Sequence, residues 1–117
     1  MSGQIIHLNP HLQESLKEGI PNSEVCVKLT QLYSMFSDPT RLKIIVALLY
    51  TEMCVNDLSE MLEINQTTIS HQLKILRSNG AVTTTRKNKF IFYKVNSHIL
   101  NNIMLSGIDY ISKKSAG

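Results

Sequence analysis

A connection of three residues, 63–65, separates two predicted helices in the middle of the chain, and this short turn constrains the fold more than any other feature. Helical periodicity predicts one helix over about 55–62 and a second from Asn65, a good N-cap, to about Ser78. Asn79-Gly80 then ends the second helix, because Asn and Gly tolerate the left-handed backbone conformation. Two helices joined by so tight a turn form a helix-turn-helix.

Two strand-like runs follow the second helix, at about 82–86 and 90–95. They are rich in Thr, Ile, Phe and Tyr, which suit a pleated surface. Lys87-Asn88-Lys89 lies between them as a turn, and Asn88 can take the positive φ that such a turn needs. The pattern therefore predicts a β-hairpin, the wing, directly after the helix at 65–78.

The remaining pattern predicts three further helices around this unit. They lie at about 23–36, from Asp38-Pro39 to about Leu49, and at about 97–111. Residues 1–21 are predicted to be a mobile arm with a short amphipathic piece around 12–16, and 113–117 a C-terminal tail. The predicted fold is mainly α with a β-hairpin wing (α+β), a winged helix-turn-helix over residues 22–112.

Composition narrows the class of protein. The chain has 117 residues, which fits one domain, and its apolar runs are too short to span a bilayer. The N-terminus lacks the pattern of a secretory signal, and two cysteines do not make a disulfide framework, so a cytoplasmic protein with reduced thiols and no membrane partner is expected. The sequence has no Gly-rich phosphate loop, no nucleophile–base signature and no paired carboxylates in an apolar setting. An enzyme is therefore not expected.

Charge is sorted along the chain. Residues 64–108 contain no Asp or Glu, yet they carry half of the twelve Lys and Arg, so the formal net charge of +3 understates the local charge. Sorting of this kind is typical of proteins that bind a polyanion. Polar side chains that can read base edges lie next to cations that can bind phosphates, which points to double-stranded DNA.

The candidate DNA contacts lie on the wing and on the helix at 65–78, which would be the recognition helix. Ile69, Leu73 and Leu76 share one face of the helix and are expected to face the core. The polar side chains would then face a major groove, and the wing would reach phosphates or a minor groove. The alternative is an ordinary solvated face and hairpin tip. The predicted contacts are Gln66, Thr67, Thr68, Ser70, His71, Lys74, Arg86, Lys87, Asn88 and Lys89.

An ordered set of motifs resembles the ArsR/SmtB family of bacterial metal-sensing repressors. The family's wing usually turns on Gly, whereas Asn88 stands here. The resemblance covers about residues 25–111 and implies a homodimer that binds operator DNA and releases it when an inducer binds. The motifs are Ser37-Asp38-Pro39-Thr40-Arg41-Leu42, Glu52-Met53-Cys54-Val55-Asn56-Asp57-Leu58, Ser70-His71-Gln72-Leu73-Lys74-Ile75-Leu76-Arg77, and Arg86-Lys87 through Tyr93.

The resemblance also implies a metal site. Well-known members carry Cys-Val-Cys where this chain has Cys54-Val55-Asn56, but some members use one Cys with the following Asp, here Asp57. Those members add two ligands from the other subunit's arm, and His7 and His11 have the matching spacing. This set would suit Zn²⁺ or Co²⁺ as the inducer. The second site known on the family's last helix would match Asn96, His98, Asp109 and Ser112, and since two of these four lack a good metal ligand it is expected to be absent or altered.

Other readings of these residues stay open. A lone Cys is often a small core residue, and two His on an arm often bind nothing. A redox or persulfide response involving Cys26 and Cys54, or another ligand, is an alternative way of controlling the same repressor.

The first and last helices of the winged-helix region carry apolar stripes. We expect them to pair across a two-fold axis, with Leu29, Leu32, Ile103 and Ile108 near the seam, so that the dimer binds an inverted repeat. A winged helix that docks proteins instead of DNA is a more remote alternative, because fold does not fix function.

Overall fold

The computed structural model describes residues 7–95 and 98–116, which contain six helices and one β-hairpin. The helices and strands follow the predicted order of helix-turn-helix, hairpin and closing helix, so the predicted winged helix-turn-helix is confirmed. The elements are α1 (Pro10–Gly19), α2 (Ser23–Ser34), α3 (Pro39–Tyr50), α4 (Val55–Leu62), α5 (Gln66–Ser78), β1 (Val82–Lys87), β2 (Phe90–Val95) and α6 (His98–Ala116).

The chain divides into two compact units between Tyr33 and Ser34. The described part of the first unit holds α1 and nearly all of α2, and neither helix has a buried residue. On α1 and its flanks the apolar side chains recur every fourth residue and are exposed, at Leu8, Leu12, Leu16 and Ile20. These helices therefore present apolar surface that their own unit does not cover.

Helix α1 is longer than the short amphipathic piece expected around residues 12–16. The side chain of Asn9 caps it by accepting a hydrogen bond from the Leu12 N–H at 2.7 Å, and Pro10 opens its first turn. Asp38 and Pro39 start α3 in the same way, with the Arg41 N–H donating to the Asp38 carboxylate at 2.9 Å. Both pairs combine a polar cap with a proline whose fixed φ suits the first helical turn.

The core of the second unit lies between α3, α4 and α5. Its largest fully buried side chains are Ile44, Leu58, Ile69, Leu73 and Leu76, and all of them are Ile or Leu. Helix α3 also contacts β2, and α5 contacts β1, so the hairpin is attached to the same core. Removal of this apolar surface from water is the main force that holds α5 in place.

The hairpin pairs antiparallel, from Val82 opposite Val95 to Lys87 opposite Phe90. The connector between α3 and α4, residues 51–54, joins it through an isolated bridge between Met53 and Tyr93. The Met53 N–H donates to the Tyr93 carbonyl at 3.1 Å, and the Tyr93 N–H donates to the Met53 carbonyl at 2.9 Å. The connector is therefore part of the wing's backbone network.

Helix boundaries differ from the predicted ones at some ends. Helix α2 ends at Ser34, two residues before the predicted end at Phe36, and α6 continues to Ala116. The predicted start of the last helix at Ser97 lies outside the described residues. Within the described ranges, no helix is both long and apolar enough to cross a membrane.

Arg41 joins Ser34 and Met35, at the end of α2, to α5. Its guanidinium donates to the carbonyls of Ser34 and Met35 at 3.2 and 3.3 Å, and to the Gln72 side-chain oxygen at 3.1 Å. The two carbonyls lie near the end of α2, where the helix leaves acceptors without an intrahelical partner. The Ser34 carbonyl also accepts from the N–H and the hydroxyl of Ser37, so Arg41 adds to these bonds and links α3 to α5.

We expect Arg41→Ala to lower the free energy of unfolding by about 2 kcal/mol, because it removes several hydrogen bonds to a charged donor. Urea denaturation followed by circular dichroism measures this change. Lys43→Ala, on the exposed side of the same helix, is the matched control and should change stability by less than about 0.5 kcal/mol. Equal losses in the two variants would contradict the role assigned to Arg41.

Candidate nucleic-acid interface and metal-ligand residues

The turn between α4 and α5 is held by local hydrogen bonds. Helix α4 ends at Leu62 and is followed by its C-cap Glu63, whose φ of 56° is left-handed, and the Ile64 N–H donates to the Ser59 carbonyl at 3.2 Å. The Ser59 hydroxyl donates to the Ile64 carbonyl at 2.6 Å. The Asn65 side chain then accepts from the Thr68 N–H at 2.8 Å and caps α5. These bonds fix the angle at which α5 leaves the turn.

The two faces of α5 separate as the sequence predicted. Ile69, Leu73 and Leu76 are buried, and Thr68 is half-buried. The helix contains no carboxylate. Its exposed face carries most of the predicted DNA contacts, namely Gln66, Thr67, Ser70, His71 and Lys74. This face presents amide, hydroxyl, imidazole and ammonium groups, which can bind base edges and phosphates.

Asn56 contacts the first residue of α5, and the sequence did not predict this contact. The Gln66 side-chain N–H donates to the Asn56 Oδ1 at 2.6 Å, which joins the first turn of α4 to the first turn of α5. Asn56 stands where the best-known metal-sensing members have their second Cys. No local pattern marks it, because the two residues are ten positions apart in the sequence.

The wing tip is exposed and cationic. Arg86, Lys87 and Lys89 are all exposed, and Asn88 turns the hairpin with a φ of 58°, as the sequence predicted for this position. The Lys87 ammonium lies 5.2 Å from the centre of the Phe92 ring. It also forms an ion pair with Glu52 of the connector. Glu52 is thus an acid that the fold brings to a segment lacking acids of its own.

The four predicted metal ligands lie on two elements of the chain, two of them at the start of α4 and two at α1. Cys54 is the N-cap of α4, one residue before the helix, and is buried at 7% exposure without making a capping hydrogen bond. Asp57 is exposed in the first turn of α4. His11 is exposed within α1, and His7 is exposed and precedes the cap of that helix.

The surroundings of the two ligands near α4 also differ. Cys54 lines a depression with Lys89, Phe90, Ile91 and Tyr93 of the wing. Asp57 lines another, with Glu52 and Glu60. Within residues 7–95 and 98–116, no three His, Cys, Asp or Glu side chains of one chain are placed to hold a metal ion. A thiolate, a carboxylate and two imidazoles are still donor types that Zn²⁺ accepts.

The predicted seam residues lie partly covered. Leu29, Leu32 and Ile103 are half-buried, and Ile108 is exposed. Cys26 is an exposed free thiol that donates to the Pro21 carbonyl at 3.4 Å. Of the residues matching the family's second metal site, Asn96 lies outside the described residues, and Asp109 pairs with Lys113 at 3.0 Å.

A helix-turn-helix followed by a hairpin defines the class of winged-helix DNA-binding regulators. A model described as the arsR family of bacterial regulatory proteins matches residues 38–84. The transcriptional repressor SdpR of Bacillus subtilis is 32% identical over 85 residues, which cover 73% of this chain and 94% of that protein. The chain therefore belongs to the arsR family, whose curated relatives are transcriptional repressors.

Two further relatives show how widely the similarity extends. A transcriptional repressor SmtB homolog of Synechocystis is 33% identical over 75 residues, which cover 63% of this chain but only 57% of that protein. The arsenical resistance operon repressor of Staphylococcus xylosus is 33% identical over 90 residues, covering 77% of this chain and 86% of that protein.

Solved structures share the fold. The crystal structure of the transcriptional repressor BigR from Xylella fastidiosa superposes with a TM-score of 0.67 at 28% identity, covering 80% of this chain and 90% of that one. A homodimeric winged helix-turn-helix DNA-binding domain from Mycobacterium bovis superposes with a TM-score of 0.69, covering 84% and 92%. Its identity of 18% supports the fold alone.

Proposed function

We propose that the protein is a homodimeric repressor that binds an inverted repeat in double-stranded operator DNA and is released by an inducer. The observation that carries this proposal is the polar, carboxylate-free face of α5 together with a cationic wing tip on β1, a strand that contacts α5. A protein-docking surface would not require acids to be absent from residues 64–108. Membership of the arsR family supports the same reading.

In this proposal α5 reads base edges and the wing binds phosphates. The exposed Gln66 and Ser70 lie toward the N-terminal half of α5, the part of a recognition helix that typically contacts bases. A Gln amide can pair with adenine in the major groove. Arg86 and Lys89 at the wing would contribute affinity that does not depend on sequence.

The first test separates these roles by substitution. Gln66→Ala should relax sequence preference and cost about 1–3 kcal/mol for the preferred site, because it removes a base contact. Lys89→Ala should weaken binding to all duplexes and reduce the salt slope by about 1. Fluorescence anisotropy with a selected inverted repeat and a scrambled duplex measures both effects. Equal binding of the wild type to the two duplexes would exclude a sequence-specific repressor.

We further propose that α2 and α6 of two subunits form the dimer seam, near Leu29, Leu32, Ile103 and Ile108. The support is the apolar surface left exposed on these helices, including Val25 and Val27 of α2 and Leu105 and Ile111 of α6. Unpartnered apolar surface of this kind marks interaction sites in soluble proteins. A two-fold axis would place two α5 helices for the two halves of an inverted repeat.

Ile108→Lys should convert the protein to a monomer and weaken operator binding. Ile108 is 42% exposed in the single chain, so a charge there should disturb the seam more than the fold of one subunit. Sedimentation equilibrium at tens of micromolar gives the assembly state, and circular dichroism checks the fold. The control is Asn102→Lys, at an exposed polar position of the same helix. A wild type that sediments as a monomer would rule out this assembly.

For the inducer we propose Zn²⁺ or a similar divalent ion, held by His7 and His11 of one subunit with Cys54 and Asp57 of the other. The support is the donor set, the resemblance to metal-sensing repressors, and a Cys54 side chain that makes no capping hydrogen bond. The relative from Staphylococcus xylosus is named for arsenical resistance, which associates the family with metalloid response.

Two contacts could carry a change at α4 to the DNA-binding elements. Met53, adjacent to Cys54, pairs with Tyr93 of the wing, and Asn56 holds Gln66 at the start of α5. A metal ion that favours the arrangement these elements adopt without DNA must weaken DNA binding. By linkage, DNA must weaken metal binding by the same factor. This factor is typically about 5–150-fold.

Cys54→Ser should abolish the thiolate-to-Co²⁺ absorption and the effect of metal on DNA binding, while the metal-free protein still binds DNA. Titration with Co²⁺ under reducing conditions, followed by anisotropy, measures both properties. Cys26→Ser is the matched control and should respond to metal like the wild type. If Cys54→Ser and a variant lacking both His7 and His11 also respond like the wild type, the proposed ligand set is wrong.

A further inference from the structure

Glu52 places one carboxylate against the wing, where residues 64–108 supply none. It lies in the 51–54 connector and forms an ion pair with Lys87, 35 positions later in the sequence. The Lys87 side chain is 53% exposed and that of Glu52 only 29%. The pair is therefore partly shielded, with the Lys87 side chain more exposed than that of Glu52.

Both partners are held by the same small sheet. Glu52 directly precedes Met53, whose two backbone hydrogen bonds to Tyr93 attach the connector to β2. Lys87 ends β1, and its ammonium also lies over the Phe92 ring of β2 at 5.2 Å. Because backbone pairing brings the two side chains together, the contact requires less ordering than one between two free surface chains.

Lys87 differs in this respect from the other cations of the wing. Within the part of the chain that the structure describes, Arg86, Lys89 and Lys94 have no carboxylate at ion-pair distance, whereas Lys87 has Glu52. Glu52 also lines an open depression with Asp57 and Glu60, but Lys87 is not part of that lining and pairs with Glu52 alone. The sequence alone predicted equal roles for Lys87 and Lys89.

We infer that Glu52 competes with the DNA phosphate for Lys87 and thereby lowers the sequence-independent part of DNA affinity. This inference rests on the proposed DNA-binding function. A phosphate that approaches Lys87 must displace the carboxylate or tolerate its repulsion, so this lysine contributes less than a free one. Glu52 acts through Lys87 and is a positioning residue that sets how strongly the wing holds any duplex.

The test measures binding of a random-sequence duplex of about 30 base pairs, since phosphate contacts do not depend on sequence. Glu52→Gln should tighten binding about three- to tenfold at low salt and steepen the plot of log K against log salt by about 0.9, the value for one added phosphate contact. Lys87→Gln should weaken binding less in the wild type than in the Glu52→Gln background. This double-mutant cycle isolates the ion pair.

Glu60→Gln is the matched control, because it removes the same charge from an exposed position on α4 that has no ion pair with the wing among the described residues. Its slope should equal that of the wild type. Thermal unfolding of each variant, followed by circular dichroism, shows whether the fold persists, and the salt slope separates lost competition from a purely structural effect.

Three results would overturn the inference. They are an unchanged affinity and slope in Glu52→Gln, a weaker binding in that variant with a lower unfolding temperature, and an equal gain in Glu60→Gln. If Lys89→Gln still weakens binding in the first case, the proposed DNA-binding function stands while the role of Glu52 fails. If the wild type binds no duplex at any salt concentration, both the proposed DNA-binding function and the role of Glu52 are wrong.

Discussion

Burial of three side chains on α5 decides which side of this helix faces solvent. Ile69, Leu73 and Leu76 are fully buried, and together they anchor α5 against α3 and α4. Because a helix turns about 100° per residue, fixing this face also fixes the direction of every polar side chain on the opposite one. The proposed base contacts therefore depend on apolar packing behind them more than on any bond of their own.

The wing depends on a second constraint, the backbone pairing of Met53 with Tyr93. A two-stranded hairpin alone is only marginally stable in water. Here the connector adds a third, very short partner, and α3 and α5 contact the two strands. The pairing also links the start of α4 to the wing, because Met53, which pairs with Tyr93, directly precedes Cys54 in the chain.

Local signals in the sequence predicted most of the architecture. Caps and stops such as Asp38-Pro39 and Asn79-Gly80 act within a few residues, and the structure confirms the helices and the turn that they mark. The extent of α1 was missed, although Asn9-Pro10 is a signal of the same kind. A proline inside a helix interrupts it, but a proline at the first helical turn starts one, as Pro10 does here.

Contacts between distant residues could not be predicted in this way. Glu52 and Lys87 are 35 positions apart, and Arg41 and Gln72 are 31 apart. Neither pair lies on a shared helix face or strand register that periodicity could reveal. The exposed face of α5 followed from spacing alone, whereas the partners of Gln66 and Lys87 required the packing of separate elements. The metal site that we propose between two subunits likewise lies beyond the local pattern of one chain.

The connector between α3 and α4 has a consequence for how the sequence can change in length. Residues 51–54 look like an ordinary loop, and loops usually tolerate insertions. Met53, however, pairs with Tyr93, and a strand places alternate side chains on opposite faces. One residue added between Glu52 and Met53 would turn the carboxylate away from Lys87 or break the pairing. The length of this segment is thus constrained, as is the length of the two-residue turn at Asn88 that sets the hairpin register.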